Sequence, residues 1–295
     1  MAQLYAGTSG WAYPSWKPTF YPQKLAQAKF LGYYSTQLNT VEVNFTFRQL
    51  VKETTIQKWL AETPEHFVFG VKAHQVLTHI KRLKGAEEFL KRFLGTLEPL
   101  ERGHKLGPIL FQLPPNMKAD AAVLRDFLPC LPRGVKVAFE FRHPSWFTDE
   151  TYELLRNAGA ALCVAETEER VTPDVTTGAF AYYRFRKPTY TVEERNAMVG
   201  TIRGHLDAGR DVFAFFKHEE TPEGAHRLLA VRAFGADHLI HDRAWNEADE
   251  QKHRDAHAEE RRDDGQDAGD DVPTHGGALA LRDPPRRRTL ATVPA

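Results

Sequence analysis

About eight short segments with apolar residues at alternate positions recur along the 295 residues, and most are followed by a stretch with helical spacing. The strand-like segments are Leu4–Ser9, Thr40–Phe47, Phe67–Lys72, Leu106–Leu113, Lys136–Arg142, Ala161–Glu166, Phe180–Phe185 and Asp211–Lys217. Helical patterns occupy Ala26–Gln37, Lys52–Glu62, Ala86–Leu97, Ala121–Leu128, Glu150–Asn157, Val192–Ala208 and Pro222–Ala233, whereas Glu168–Thr177 is polar loop. A helix between two strands returns the chain to the same edge, so successive strands run parallel. About eight such units predict a single (β/α)8 TIM-type barrel over 1–242 rather than an open doubly wound sheet. No glycine-rich turn of the dinucleotide or P-loop type follows any strand.

In such a barrel the late ends of the strands carry the active site. Period two places Val41, Val43, Val71, Phe139, Phe141 and Tyr183 on the outer faces, toward the helices. Their neighbours then face inward: Glu42 and Asn44, Lys72, Gln112, Glu140 and Arg142, Arg184 and Lys217. Val68, Leu110 and Ala138, earlier in their strands, fill the lower layers. Glu166 also ends its strand, with its face ambiguous.

This recurrence across strands, rather than any one residue, suggests a pocket for an anionic small molecule, phosphorylated or sugar-like. Glu42 and Glu140 are the expected acid and base, since pairing or desolvation pushes carboxylate pKa values apart. Asn44, Lys72, Gln112, Arg142, His143, Arg184, Lys217 and Trp11 are the expected substrate-binding residues. Arginine suits this role because its planar fork meets a carboxylate or phosphate bidentately. Arg142→Ala is expected to cost about 3–5 kcal/mol if it leaves Glu140 unpaired. Each residue also has a plainer reading. Glu140–Arg142 is equally a structural ion pair, and Trp11, Tyr13, Trp16, Phe20 and Tyr21 are equally a ligand-stacking lid or a packed loop. His79, His143 and His218 suit loop support. Ser145 and His143 lack the elbow of a nucleophilic serine.

No cofactor and no metal are expected, because no histidine or cysteine spacing suits one. The zero formal net charge offers no bulk attraction for nucleic acid or an acidic membrane. There is no run of about 18 apolar residues, and Met1–Tyr5 enters a strand without a leader pattern. Cys130 and Cys163 read as small core residues, and a cytoplasmic setting is expected. From Arg243 to Ala295 the chain is rich in Asp, Glu, Arg, His, Gly and Pro, and is expected to be a disordered polar tail. The function read from these residues is general acid/base catalysis. The alternatives are a non-catalytic ligand-binding module, nucleic-acid processing, or a metal-assisted hydrolase.

Six motifs in order carry a resemblance. They are Gly7-Thr8-Ser9-Gly10-Trp11, Glu42-Val43-Asn44-Phe45-Thr46-Phe47, Phe69-Gly70-Val71-Lys72 with Thr78-His79, Gln112-Leu113-Pro114-Pro115, Glu140-Phe141-Arg142-His143-Pro144-Ser145-Trp146, and Phe216-Lys217-His218-Glu219. From about Leu4 to Phe234 the chain resembles the YecE-like family, domain of unknown function 72. The resemblance implies a TIM-type barrel and a cytoplasmic bacterial or archaeal protein, and implies no reaction. Members of that family commonly end the last strand in Phe-Asn-Asn, where this chain has Phe216-Lys217-His218. The long polar tail is a second departure.

Overall fold

Eight parallel strands form the centre: β1 (Leu4–Thr8), β2 (Thr40–Val43), β3 (Val68–Lys72), β4 (Leu106–Gln112), β5 (Val137–Glu140), β6 (Ala161–Glu166), β7 (Phe180–Phe185) and β8 (Asp211–Phe216). They pair in the order β1-β8-β7-β6-β5-β4-β3-β2, so the sheet curls until its first two strands face each other. Among the described residues six α-helices cover the outside: α1 (Phe30–Gln37), α2 (Glu53–Glu62), α3 (Glu87–Arg102), α4 (Ala121–Phe127), α5 (Asp149–Ala158) and α6 (Val192–Asp207). The expected (β/α)8 TIM-type barrel is therefore the fold. The computed structural model describes residues 2–166, 172–187 and 190–216. The expected helix at Pro222–Ala233, the site residue Lys217, His218 and the tail from Arg243 lie outside the described residues.

Side chains close the seam between β1 and β2. The Asn39 amide donates to Leu4 O at 2.8 Å and accepts from Ala6 N at 3.0 Å, standing in for a ladder partner. The Tyr34 hydroxyl accepts from Thr8 N at 2.9 Å and donates to Thr40 O at 3.0 Å. The backbones come so close that a Cβ on Gly7 would lie 2.1 Å from Thr40 O. Only glycine fits there.

Alternation separates two cores. Val41, Val43, Val71, Phe139, Phe141 and Tyr183 belong to the large outer core between strands and helices, as the pattern predicts. Leu110, Ala138, Cys163, Phe180, Tyr182, Phe213 and Phe215 fill the barrel interior, with Tyr5 and Val68 packed against them. Phe215 takes its place because Gly70 faces it: a Cβ there would sit 3.0 Å from the Phe215 ring. This apolar plug closes the lower barrel and leaves the late strand ends for polar residues.

Two local readings change. The strand expected to run to Phe47 stops at Val43, and Phe45–Phe47 is a 3-10 turn. Its alternation is imitated by that turn, in which buried Thr46 donates to Lys72 O at 2.7 Å. The strand expected to run to Arg142 stops at Glu140, so Arg142 lies in the loop beyond. At the start of α6, Thr191 opens the helix as the pattern predicts, in a reciprocal capping box with Glu194.

Candidate functional site

The mouth of the barrel is organised by β-strand register. Gln112 on β4 lies directly beside Glu140 on β5, and its Nε2 donates to both carboxylate oxygens at 2.8 Å. On the other side of Gln112, Lys72 at the end of β3 donates from Nζ to Gln112 Oε1 at 2.8 Å. From β7, Arg184 reaches two strands at once. Its Nη1 donates to Glu140 Oε2 at 2.5 Å and its Nη2 to Glu42 Oε1 at 2.6 Å. Glu42 also accepts from Ser9 Oγ at 2.9 Å and from the Tyr182 hydroxyl at 2.7 Å. One connected network thus joins β3, β4, β5, β7 and β2 to the loop after β1. Glu42, Glu140, Arg184 and Tyr182 are all buried, so each charge needs the partners it has.

These contacts set the protonation states. Burial alone would raise the Glu42 pKa, yet Arg184 outweighs it and holds the carboxyl below its usual range. The same balance acts on Glu140, where burial is offset by Arg184, Arg186 and Gln112 and the pKa falls to about 2. Burial, reinforced by Arg184, lowers Lys72 to about 8, against the opposing pull of Glu42 and Glu140. Two ionised carboxylates therefore sit under an amine poised near neutrality.

Above them opens a cavity of about 320 Å³. Its wall contains Arg48, Lys72, Arg142, Arg184 and Arg186, together with Ser9, Tyr13, Asn44, Phe47 and Gln112. The Phe47 ring lies 4.3 Å from Lys72 Nζ, a cation–π contact. Arg186 sits two residues beyond Arg184 on the same face, and its Nε is buried without a hydrogen-bond partner, as is Nε of Arg184. Burial and then the Arg184 charge push the Arg186 pKa down. Among the described residues no carboxylate lies within ion-pair distance of Arg186, and no group of three or more His, Cys, Asp or Glu side chains could hold a metal ion.

Of the site residues expected from sequence, Asn44, Lys72, Gln112, Arg142 and Arg184 line the cavity, and Glu42 and Glu140 lie beneath it. Packing sets the surroundings of Arg142, Trp11, His143, the aromatic loop and Glu166. Arg142 is about one-third exposed, and its Nε is 3.8 Å from Glu140 Oε1, so Arg184 rather than Arg142 is the main counter-ion of Glu140. Trp11 packs edge-on against Trp59 at 5.7 Å and takes no part in the cavity wall. His143 accepts from Ser145 N at 3.2 Å, capping the 3-10 turn Pro144–Trp146. Trp16, Phe20 and Tyr21 are buried, which makes the aromatic loop a packed one. Glu166 faces outward with Val164 toward α6, lining a separate cavity of about 450 Å³. Glu166, Thr172, Lys187 and Tyr190 lie along its rim.

Sequence reasoning missed Arg48 and Arg186 as site residues. Arg48 caps the end of the Phe45–Phe47 turn, whose residues alternate as a strand does. Arg186 was within reach, because Tyr182, Arg184 and Arg186 continue one period-two face.

Residues 5–248 match a family model described as "Protein of unknown function DUF72". UPF0759 protein YunF of Bacillus subtilis (strain 168) is 34% identical over 163 residues, covering 51% of this chain and 54% of that protein. UPF0759 protein YecE of Escherichia coli (strain K12) is 27% identical over 157 residues, covering 53% and 54%. The chain spans about half the length of these curated relatives. A crystal structure of a DUF72 family protein from Thermotoga maritima MSB8 superposes with a TM-score of 0.70 at 27% identity, over 80% of this chain and 100% of that one. A second, from Enterococcus faecalis V583, gives 0.65 at 16% identity over 78% and 95%, a likeness of fold alone.

Proposed function

Because the chain belongs to the family described as protein of unknown function DUF72, a description that assigns no reaction, we propose its function from the cavity. It is a small-molecule enzyme for an anionic, phosphorylated or sugar-like substrate, and Lys72 carries the proton transfer. The observation that carries this reading is the cavity wall, where Arg48, Lys72, Arg142, Arg184 and Arg186 converge with no carboxylate among the lining residues. Five cations over two buried carboxylates leave an excess of three positive charges. Collecting like charges in a partly desolvated cavity costs several kcal/mol, and a bound polyanion offsets that cost. Guanidinium forks then fix its orientation.

The acid/base role expected of Glu42 and Glu140 passes in this reading to Lys72. A carboxylate held near pKa 2 is a poor base at neutral pH and is not an acid there. Lys72, near 8, matches the working range. A second reading, binding without chemistry, is favoured by the commitment of both carboxylates to Arg184. Two free thiols, Cys130 and Cys163, go with a reducing, cytoplasmic setting. Among the described residues no helix is long and apolar enough to cross a membrane.

Titration calorimetry with inorganic phosphate and pyrophosphate tests the reading. Saturable binding of either, weakened tenfold or more in Arg186→Ala, is the expected result. No heat at millimolar ligand in the wild-type protein would overturn it.

A further inference from the structure

Lys72 has an environment that proton transfer alone does not require. Its Nζ has three hydrogens when protonated, and among the described residues Gln112 Oε1, 2.8 Å away, is its one hydrogen-bond partner. Phe47 covers it on one side at 4.3 Å. Among the described residues no carboxylate reaches it within ion-pair distance, because Arg184 occupies both Glu42 and Glu140. A desolvated amine beside fixed guanidinium groups, with no counter-ion, is the setting in which a lysine becomes a nucleophile toward carbonyl carbon. Burial and Arg184 favour its neutral form, so roughly a tenth is unprotonated at pH 7. The cavity of about 320 Å³ admits only a small substrate.

We propose that Lys72 condenses with the aldehyde or ketone carbonyl of a small substrate whose anionic group is held by Arg142 and Arg186, forming an imine. This deepens the anion-binding reading and rests on it. The neutral Nζ lone pair bonds to the carbonyl carbon while the carbon–oxygen π pair moves to oxygen. One nitrogen proton passes to that oxygen, giving a carbinolamine. The carbon–oxygen bond then breaks as the carbon–nitrogen double bond forms, and the hydroxyl leaves with the second nitrogen proton as water. Nothing is oxidised or reduced. Once protonated, the imine draws electrons from an adjacent carbon–hydrogen or carbon–carbon bond, which is the chemistry such an adduct enables.

The test is chemical trapping in the full-length protein. It is incubated with glyoxylate, an aldehyde that carries a carboxylate, reduced with sodium borohydride, and digested for mass mapping. Lys72 should be alkylated at least tenfold more than exposed Lys24, Lys29 or Lys81. Inorganic phosphate should protect it, and uncharged propanal should show no preference for it. Alkylation spread over surface lysines, or a Lys72 adduct indifferent to phosphate, overturns the proposal. Phosphate calorimetry on the same sample separates the two readings. Phosphate bound with Lys72 unmodified removes the imine and leaves the anion site standing, whereas neither phosphate binding nor adduct removes both. Lys72→Arg keeps the charge and should lose the adduct while binding phosphate. The mapping uses wild-type protein, so a folding defect in the variant does not decide the result.

Discussion

Arg184 on β7 holds Glu42 on β2 and Glu140 on β5 with its two terminal nitrogens, at 2.6 and 2.5 Å. One guanidinium thereby ties three strands together at the mouth of the barrel. The contact is buried on all three sides, so its removal leaves two carboxylates without a counter-ion in a desolvated place.

Arg184→Ala is therefore expected to destabilise the fold by about 3–5 kcal/mol. Arg142→Ala, removing a partly exposed pair at 3.8 Å, should cost about 1 kcal/mol or less. The large loss that the sequence pattern assigns to Arg142 thus belongs to Arg184. Urea denaturation of both variants checks this; equal losses would refute it.

Acid should unfold the protein through Glu140. Its folded pKa, about 2, lies below the ordinary value of 4.5. The group therefore contributes stability that is complete above about pH 4.5 and fades as pH falls toward 2. Glu140→Gln should flatten the urea midpoint against pH between 5 and 2. An acid limb as steep as in wild type would count against the assignment.

Anion affinity should fall as pH rises through about 8, where Lys72 loses its proton. A bound anion favours the charged amine, so binding near that pH should take up protons. Calorimetry in two buffers of different ionisation enthalpy reads the uptake directly. Lys72→Met should abolish it, and an unchanged proton uptake in that variant would point to another group.

Arg186→Ala separates binding from stability. Burial and the Arg184 charge both disfavour this cation, so its removal should leave the melting temperature unchanged or raise it. The same change should weaken phosphate binding tenfold or more, about 1.4 kcal/mol. A variant that loses stability and keeps affinity would assign Arg186 to the scaffold.

The β1–β2 seam gives a structural prediction. Gly7→Ala forces a Cβ against Thr40 O, backbone that cannot swing aside, and should cost more than the ~1–3 kcal/mol of ordinary overpacking. Asn39→Ala leaves Leu4 O and Ala6 N without their partner, at about 1–3 kcal/mol for each such group that is buried. Thermal denaturation of the two variants measures both effects.

The repeating unit, the two faces of each strand and the residues at the strand ends are legible in the order of residues alone. Those are local properties: period two assigned Phe139 outward and Glu140 inward whatever lay across the barrel. Alternation alone carries β2 on to Phe47 and β5 on to Arg142, because a turn after a strand end can continue the same alternation for a few residues. Which charges meet is a property of the closed barrel. Glu42 and Arg184 are 142 residues apart in the chain, and nothing near either names the other. Closure of the barrel brings β7 opposite β2, and that closure makes Glu42 and Glu140 counter-ions of one arginine, while among the described residues Lys72 has no ion-pair partner. The protonation of all four groups follows from distance and desolvation, which the alternation of residues along a strand does not contain.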